Sequence, residues 1–170
     1  LPRDLLKRKE IYETIEKNPG MHFRELQRRL NLNVGELQYH LDVLEKEQLI
    51  VSREEMGYRR YYPRALENPS EKKYLPFLRQ PIARRILISL IENGGGNMET
   101  LERDLGLKKT TLNYHLKKLL SGNLVIKVEE GRNIIYRVVD EEEIARTIIK
   151  YRNSFQDTIV ERFIDFWERS

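Results

Sequence analysis

The chain has 170 residues, with 31 Lys plus Arg against 27 Asp plus Glu, three His and no Cys. That length accommodates one or two small domains. The lack of cysteine excludes a disulfide framework, a thiolate metal site and a cysteine nucleophile, and three histidines are too few for a His-rich metal cluster. No apolar run approaches the roughly 20 residues that span a bilayer, and nothing resembles a signal peptide. The expectation is a soluble, cytoplasmic, mildly basic protein with no cofactor and no membrane contact.

The first predicted element is a helix over 5–17, with Leu6, Ile11 and Ile15 on one stripe and Asn18-Pro19-Gly20 as its stop. A short second helix follows from Phe23 to Leu30. Asn33 stands where it can cap a third helix, with Glu36 three residues on, and that helix runs to about Gln48 burying Leu37, Leu41 and Leu44. Ile50–Arg53 and Arg59–Tyr62 read as two strands around a turn at Met56-Gly57. The same order recurs as helices at 82–92, 97–105 and 108–119, then strands at 125–129 and 134–139 around Gly131.

The recurrence is an internal repeat. A shift of 75 residues lays Ile11–Tyr62 on Ile86–Arg137 without a gap. It matches Tyr39-His40-Leu41 to Tyr114-His115-Leu116, Gly20 to Gly95, Arg28 to Arg103 and Tyr61 to Tyr136, along with six further leucine pairs. The predicted organisation is domain 1 over 1–63, a linker over 64–80, domain 2 over 81–139 and a C-terminal helix over 140–170. Net charge over these segments is +1, +2, +4 and −3 in turn.

Three helices and a β-hairpin, with a tight link between helices two and three, make the layout of a winged helix-turn-helix. The fold class expected is mainly α with small β-hairpin wings (α+β), two such domains in tandem. The runs ELQRRLNLNVGELQYHLDVLEKEQLI (25–50) and TLERDLGLKKTTLNYHLKKLLSGNLV (100–125) resemble archaeal winged-helix transcriptional regulators of the ArsR/MarR-like group. The resemblance covers about residues 3–139. It implies a DNA-binding regulator whose third helix enters the major groove while the wing lies along the backbone or minor groove.

The residues of domain 2 suit that role. Between Lys108 and Leu120 there is no acid, and Lys108, Lys109, Thr110, Thr111, Asn113, Tyr114, Lys117 and Lys118 are the predicted outward positions. Lysines neutralise phosphates, and Asn and Thr side chains reach base edges and methyls. Lys127, Arg132 and Asn133 extend the strip into the wing. Domain 1 offers Gln38 and Tyr39 on its third helix and Arg53, Arg59 and Arg60 on its wing. Glu36, Asp42, Glu45 and Glu47 on that helix would repel phosphates, so domain 1 reads either as a weaker DNA binder or as the seat of a protein partner. His40 and His115 are expected to pack beside core leucines with a hydrogen bond to backbone, and His22 to cap the second helix.

Pro69, Pro76 and Pro81 limit the linker to a helical turn at most, packed through Tyr74, Leu75, Phe77 and Leu78. The tail is predicted as one continuous helix from Asp140 to Trp167. Its stripe of Ile144, Ile148, Tyr151, Phe155, Ile159, Phe163 and Phe166 is assigned to a homodimer contact, with packing on the same chain as the other option. The resemblance implies a dimer, often formed through terminal helices. No phosphate loop, metal-ligand spacing or nucleophile motif is present, so no enzyme is expected. The competing reading is a tandem winged-helix scaffold or accessory factor that binds protein, for example in RNA polymerase or chromosome-segregation assemblies.

Overall fold

The repeat is realised element by element in a computed structural model, which describes residues 2–170. The chain folds as two units, one ending at Pro76 and one running from Phe77 to Ser170. In the first, α1 (Arg3–Lys17) leads through β1 (Met21–His22) to α2 (Phe23–Leu30) and α3 (Val34–Lys46), then to the hairpin β2 (Ile50–Glu55) and β3 (Tyr58–Pro63). The three strands form one antiparallel sheet in the order β1-β3-β2. Ile11 and Ile15 of α1, Leu26 and Leu30 of α2, and Leu37, Leu41 and Leu44 of α3 close the core with Met21, Ile50 and Tyr61.

The connection corrects an expectation. In place of a single turn, Pro69–Leu78 forms a ten-residue helix, α4, with Pro76 inside it. Asn68 Oδ1 accepts from Ser70 N–H at 2.9 Å and Glu71 N–H at 3.2 Å, capping the start. Pro69 occupies the first turn, where no N–H is required. Pro76 forgoes one backbone bond only two residues before the helix ends, so the break it imposes is local. Tyr74, Leu75, Phe77 and Leu78 are all buried, and the division between the units falls after Pro76.

The second unit repeats the first as α5 (Pro81–Glu92), α6 (Met98–Leu105), α7 (Lys109–Ser121), β4 (Val125–Glu130) and β5 (Asn133–Val138). The shift of 75 carries α2 onto α6, α3 onto α7, β2 onto β4 and β3 onto β5 residue for residue. The pairing of Met21 with Tyr61 becomes the single bridge of Gly96 with Tyr136. Even the chain exits match, with Arg64 N–H on Leu49 O and Val139 N–H on Leu124 O, both at 2.9 Å. The shared glycine has a cause: Gly20 and Gly95 sit at φ 91° and 112°, and a Cβ at Gly95 would lie 3.2 Å from Tyr136 O.

The tail is not one helix. It breaks into α8 (Glu141–Lys150), α9 (Arg152–Phe155) and α10 (Thr158–Arg169). Gln156 takes a left-handed conformation, φ 52°, and Asp157 Oδ1 caps α10 by accepting from Ile159 N–H at 3.1 Å. Asp157 is also held by Arg84, whose Nε and Nη2 donate to Oδ2 at 3.3 and 3.0 Å. That buried partner fixes the turn where periodicity alone predicts continuation. α10 folds back on α5 and α8. Ile144, Ile148, Tyr151, Phe155 and Phe163 are buried by the chain itself and Ile159 is half-buried, so Phe166, 37% exposed, is the one open member of the stripe assigned to dimerisation. No helix among the described residues is long and apolar enough to cross a membrane.

Candidate nucleic-acid interface

Burial of Leu112, Leu116 and Leu119 sets the rotation of α7 about its axis. Asn113, Tyr114 and Lys117 therefore project outward and are exposed, as are Lys108, Lys109 and Thr110 at the start; Thr111 is half-buried. Lys108 is the N-cap residue and makes no capping bond with its side chain, and the first turn holds no acid. Lys118 is half-buried and lays its Nζ over the Tyr114 ring, 4.3 Å from the centroid. Among the described residues, none of Lys108, Lys109, Lys117 and Lys118 is in an ion pair. On the wing, which α7 contacts through β4, Lys127, Arg132 and Asn133 are exposed. Arg137 is neutralised by Glu130 at 3.1 Å.

In the first unit the same positions are differently arranged. Gln38 and Tyr39 are exposed on α3, but Gln38 Nε2 donates to Asp42 Oδ1 at 2.8 Å, and the Arg8 guanidinium stands 5.8 Å above the Tyr39 ring. Asn33 Oδ1 caps α3 by accepting from Glu36 N–H at 2.8 Å. Arg60 is not available to DNA, contrary to the sequence expectation. It is 2% exposed, and its Nη1 and Nε donate to Gly20 O at 2.9 Å and Glu55 O at 3.1 Å, tying β3 to the loop before β1. Arg53 is half-buried with its guanidinium 4.4 Å from the centroid of Tyr62, a ring whose hydroxyl donates to Glu55. Arg59 remains exposed, although Glu54 at 3.3 Å and Ser52 at 2.6 Å hold it.

The histidines have structural surroundings. His22 caps α2: its Nδ1 accepts from Glu25 N–H at 3.4 Å while the Glu25 carboxylate accepts from His22 N–H at 3.3 Å. Its ring stacks on Tyr58, centroids 4.3 Å apart, which holds the wing to the start of α2. His40 and His115 pack beside the core leucines as expected, but Nδ1 of each is buried without the expected hydrogen bond. Burial, then Arg8, holds His40 below the ordinary imidazole range; burial, then Lys118, does the same for His115. Both are neutral at pH 7. Among the described residues no group of three or more His, Cys, Asp or Glu side chains is placed to hold a metal ion.

Arg103, which the motifs do not single out, is exposed on α6, and its only ion-pair neighbour among the described residues is Asp104 at 3.9 Å.

Residues 6–75 match the HTH_HVO_0163_N family, an N-terminal HTH domain. A Methanocaldococcus jannaschii protein named as an HTH-type transcriptional regulator is 35% identical over 133 residues, which are 77% of this chain and 33% of the relative. The chain thus spans about a third of that relative's length. Among solved structures, HlyU from Vibrio cholerae aligns at 23% identity over 51% of this chain and 94% of its own, with a TM-score of 0.43. A chain of the endosomal complex ESCRT-II aligns at 18% identity over 79% of this chain and 61% of its own, with a TM-score of 0.33. Residues 6–75 thus match a model of an N-terminal HTH domain, and 133 residues of the chain are similar to an archaeal protein named as an HTH-type regulator; the helix-turn-helix with hairpin wing is the layout of both units described above.

Proposed function

We propose that the protein is a cytoplasmic DNA-binding transcriptional regulator that contacts double-stranded DNA mainly through α7 and the β4-β5 wing. The observation that carries this reading is the outward face of α7. Lys108, Lys109 and Lys117 are exposed there, no acid interrupts them and, among the described residues, no ion pair neutralises them. Phosphate neutralisation needs such free cations, and Asn113, Thr110 and Tyr114 stand between them for base or sugar contacts. Membership of the ArsR/MarR-like group rests on the quoted motifs. The reading is of one chain on DNA, since the tail stripe that suggested a homodimer is largely covered within the chain.

The test is fluorescence anisotropy of a random-sequence duplex across a salt series. Binding should weaken steeply with salt, and Lys117→Ala should lower the log–log slope by about 0.9, the value of one phosphate contact. Lys118→Ala should lower it less, because that ammonium is engaged with Tyr114. An unchanged slope in Lys117→Ala would remove α7 from the interface.

A second reading has its own observation. The α3 face presents Asp42 and Glu47 to solvent with Glu36 and Glu45 half-exposed, and Asp42 occupies Gln38. An acidic face of this kind fits a basic protein partner better than a duplex.

A further inference from the structure

The second unit carries a cleft of about 350 Å³ between the outer face of α5, the end of α6 and α10. Its walls bring together two guanidinium groups (Arg85 and Arg162), two carboxylates (Glu92 and Asp104) and three apolar residues, Ile88 and Ile159 among them. The formal charges cancel. Arg85 donates from Nη2 to Leu105 O at 3.0 Å, but its Nε–H is buried without a partner. A buried N–H left unpaired is rare and calls for an explanation. The Glu92 carboxyl is held above the usual carboxylate range by desolvation, with the nearby Asp104 charge adding to the effect and Arg162 opposing it.

The repeat supplies the contrast. The shift of 75 places Glu10 opposite Arg85, Lys17 opposite Glu92 and Arg29 opposite Asp104, so each charge is reversed in the first unit. Arg29 Nη1 donates there to Asn18 Oδ1 at 2.6 Å, while in the second unit Asn93 Nδ2 donates to Asp104 Oδ2 at 3.0 Å and leaves the other carboxylate oxygen to the cleft; the tail helices belong to the second unit. The cleft is therefore a product of this unit's own side chains and of α10, and does not follow from the winged fold.

We propose that this cleft binds a small zwitterion of amino-acid type. Arg85 and Arg162 hold its carboxylate, Glu92 and Asp104 hold its ammonium, and its side chain lies on Ile88 and Ile159. Opposite charges lining one cleft select a ligand that carries both signs over a single lone ion. The volume falls within the about 300–1,000 Å³ of small-molecule sites.

The experiment is isothermal titration calorimetry of the full chain with each standard amino acid singly, and with acetate and ethylamine as the two halves of the ligand. At least one amino acid should bind with submillimolar affinity, and each half-ligand about tenfold more weakly or not at all. Arg162→Ala and Asp104→Asn should each weaken binding by about tenfold, while Lys117→Ala leaves it unchanged. Arg162 is exposed, so its variant should melt as the parent does and carries the test even if the Asp104 variant fails to fold. No heat from any amino acid, acetate binding as tightly as the best amino acid, or binding indifferent to Arg162→Ala would each overturn the proposal. Calorimetry uses no DNA, so failure here leaves the DNA reading intact, and failure of DNA binding leaves the cleft standing.

Discussion

The helices α3 and α7 occupy the same place in two copies of one fold, run for the same 13 residues and bury the same three leucines, yet they present opposite surfaces. In α3 an Asn cap and first-turn acid satisfy the helix N-terminus, and Gln38 is tied to Asp42. In α7 a lysine stands at the cap and the face is free of acids. The inward positions are held by packing, which both copies share. The outward positions have no such constraint, and there the two copies have diverged in charge. The contrast teaches that fold and partner are written on different residues of the same helix.

The sharpest separation of the copies concerns a buried charge. Arg84 and Lys9 are equivalent, but Arg84 is 4% exposed and paired with Asp157 at 3.0 Å, whereas Lys9 lies in solvent 3.9 Å from Glu13. Arg84→Ala strands the half-buried Asp157 carboxylate and the Leu78 carbonyl, and should cost about 3 kcal/mol. Lys9→Ala should be indistinguishable from the parent. Urea denaturation of both variants measures the difference.

A second divergence lies at the end of the same helices. A Cβ at Gly122 would sit 2.4 Å from Phe77 Cζ, while its counterpart Glu47 carries an exposed side chain without strain. Gly122→Ala should destabilise by about 1–3 kcal/mol through overpacking. Pairing it with Phe77→Leu should recover much of the loss in the same denaturation assay.

The caps give a smaller, reciprocal effect. Asn33→Ala should destabilise by about 1 kcal/mol, and Lys108→Asn should raise the thermal midpoint by supplying the cap that α7 lacks. That same substitution removes an outward cation and should weaken DNA binding, so stability and affinity move in opposite directions if α7 faces DNA.

The smallest effect is in pH. His40 and His115 both titrate below the imidazole value of about 6.5 expected of the unfolded chain. Between the folded and unfolded values the unfolded state binds more protons, so the stability these residues give is present above pH about 6.5 and declines as pH falls below it. His40→Gln and His115→Gln should each flatten the thermal midpoint against pH in that range. A slope unchanged in both would remove the buried neutral imidazoles as its cause.

Much of the architecture is legible in the chain because it is stated twice. Periodic leucines mark the helices, Gly20 and Gly95 mark left-handed turns, and the Asn33 and His22 caps sit where the spacing puts them. What was misread depends on partners distant in sequence. Arg60 reads as a wing cation, but its guanidinium is drawn inward by the carbonyl of Gly20, forty residues away. The tail reads as one stripe at helical spacing, yet Arg84, 73 residues upstream, holds Asp157 and turns the chain there.

The sequence by itself determined the two winged units, their register and the charge contrast between α3 and α7, because periodicity, caps and turn glycines act within a few residues. Tertiary structure decided which arginines face solvent, how the tail breaks and covers its own apolar stripe, and that two guanidinium groups meet two carboxylates across one cleft. Those outcomes depend on contacts between elements far apart in the chain, where a side chain's environment is set by neighbours that local spacing does not encode.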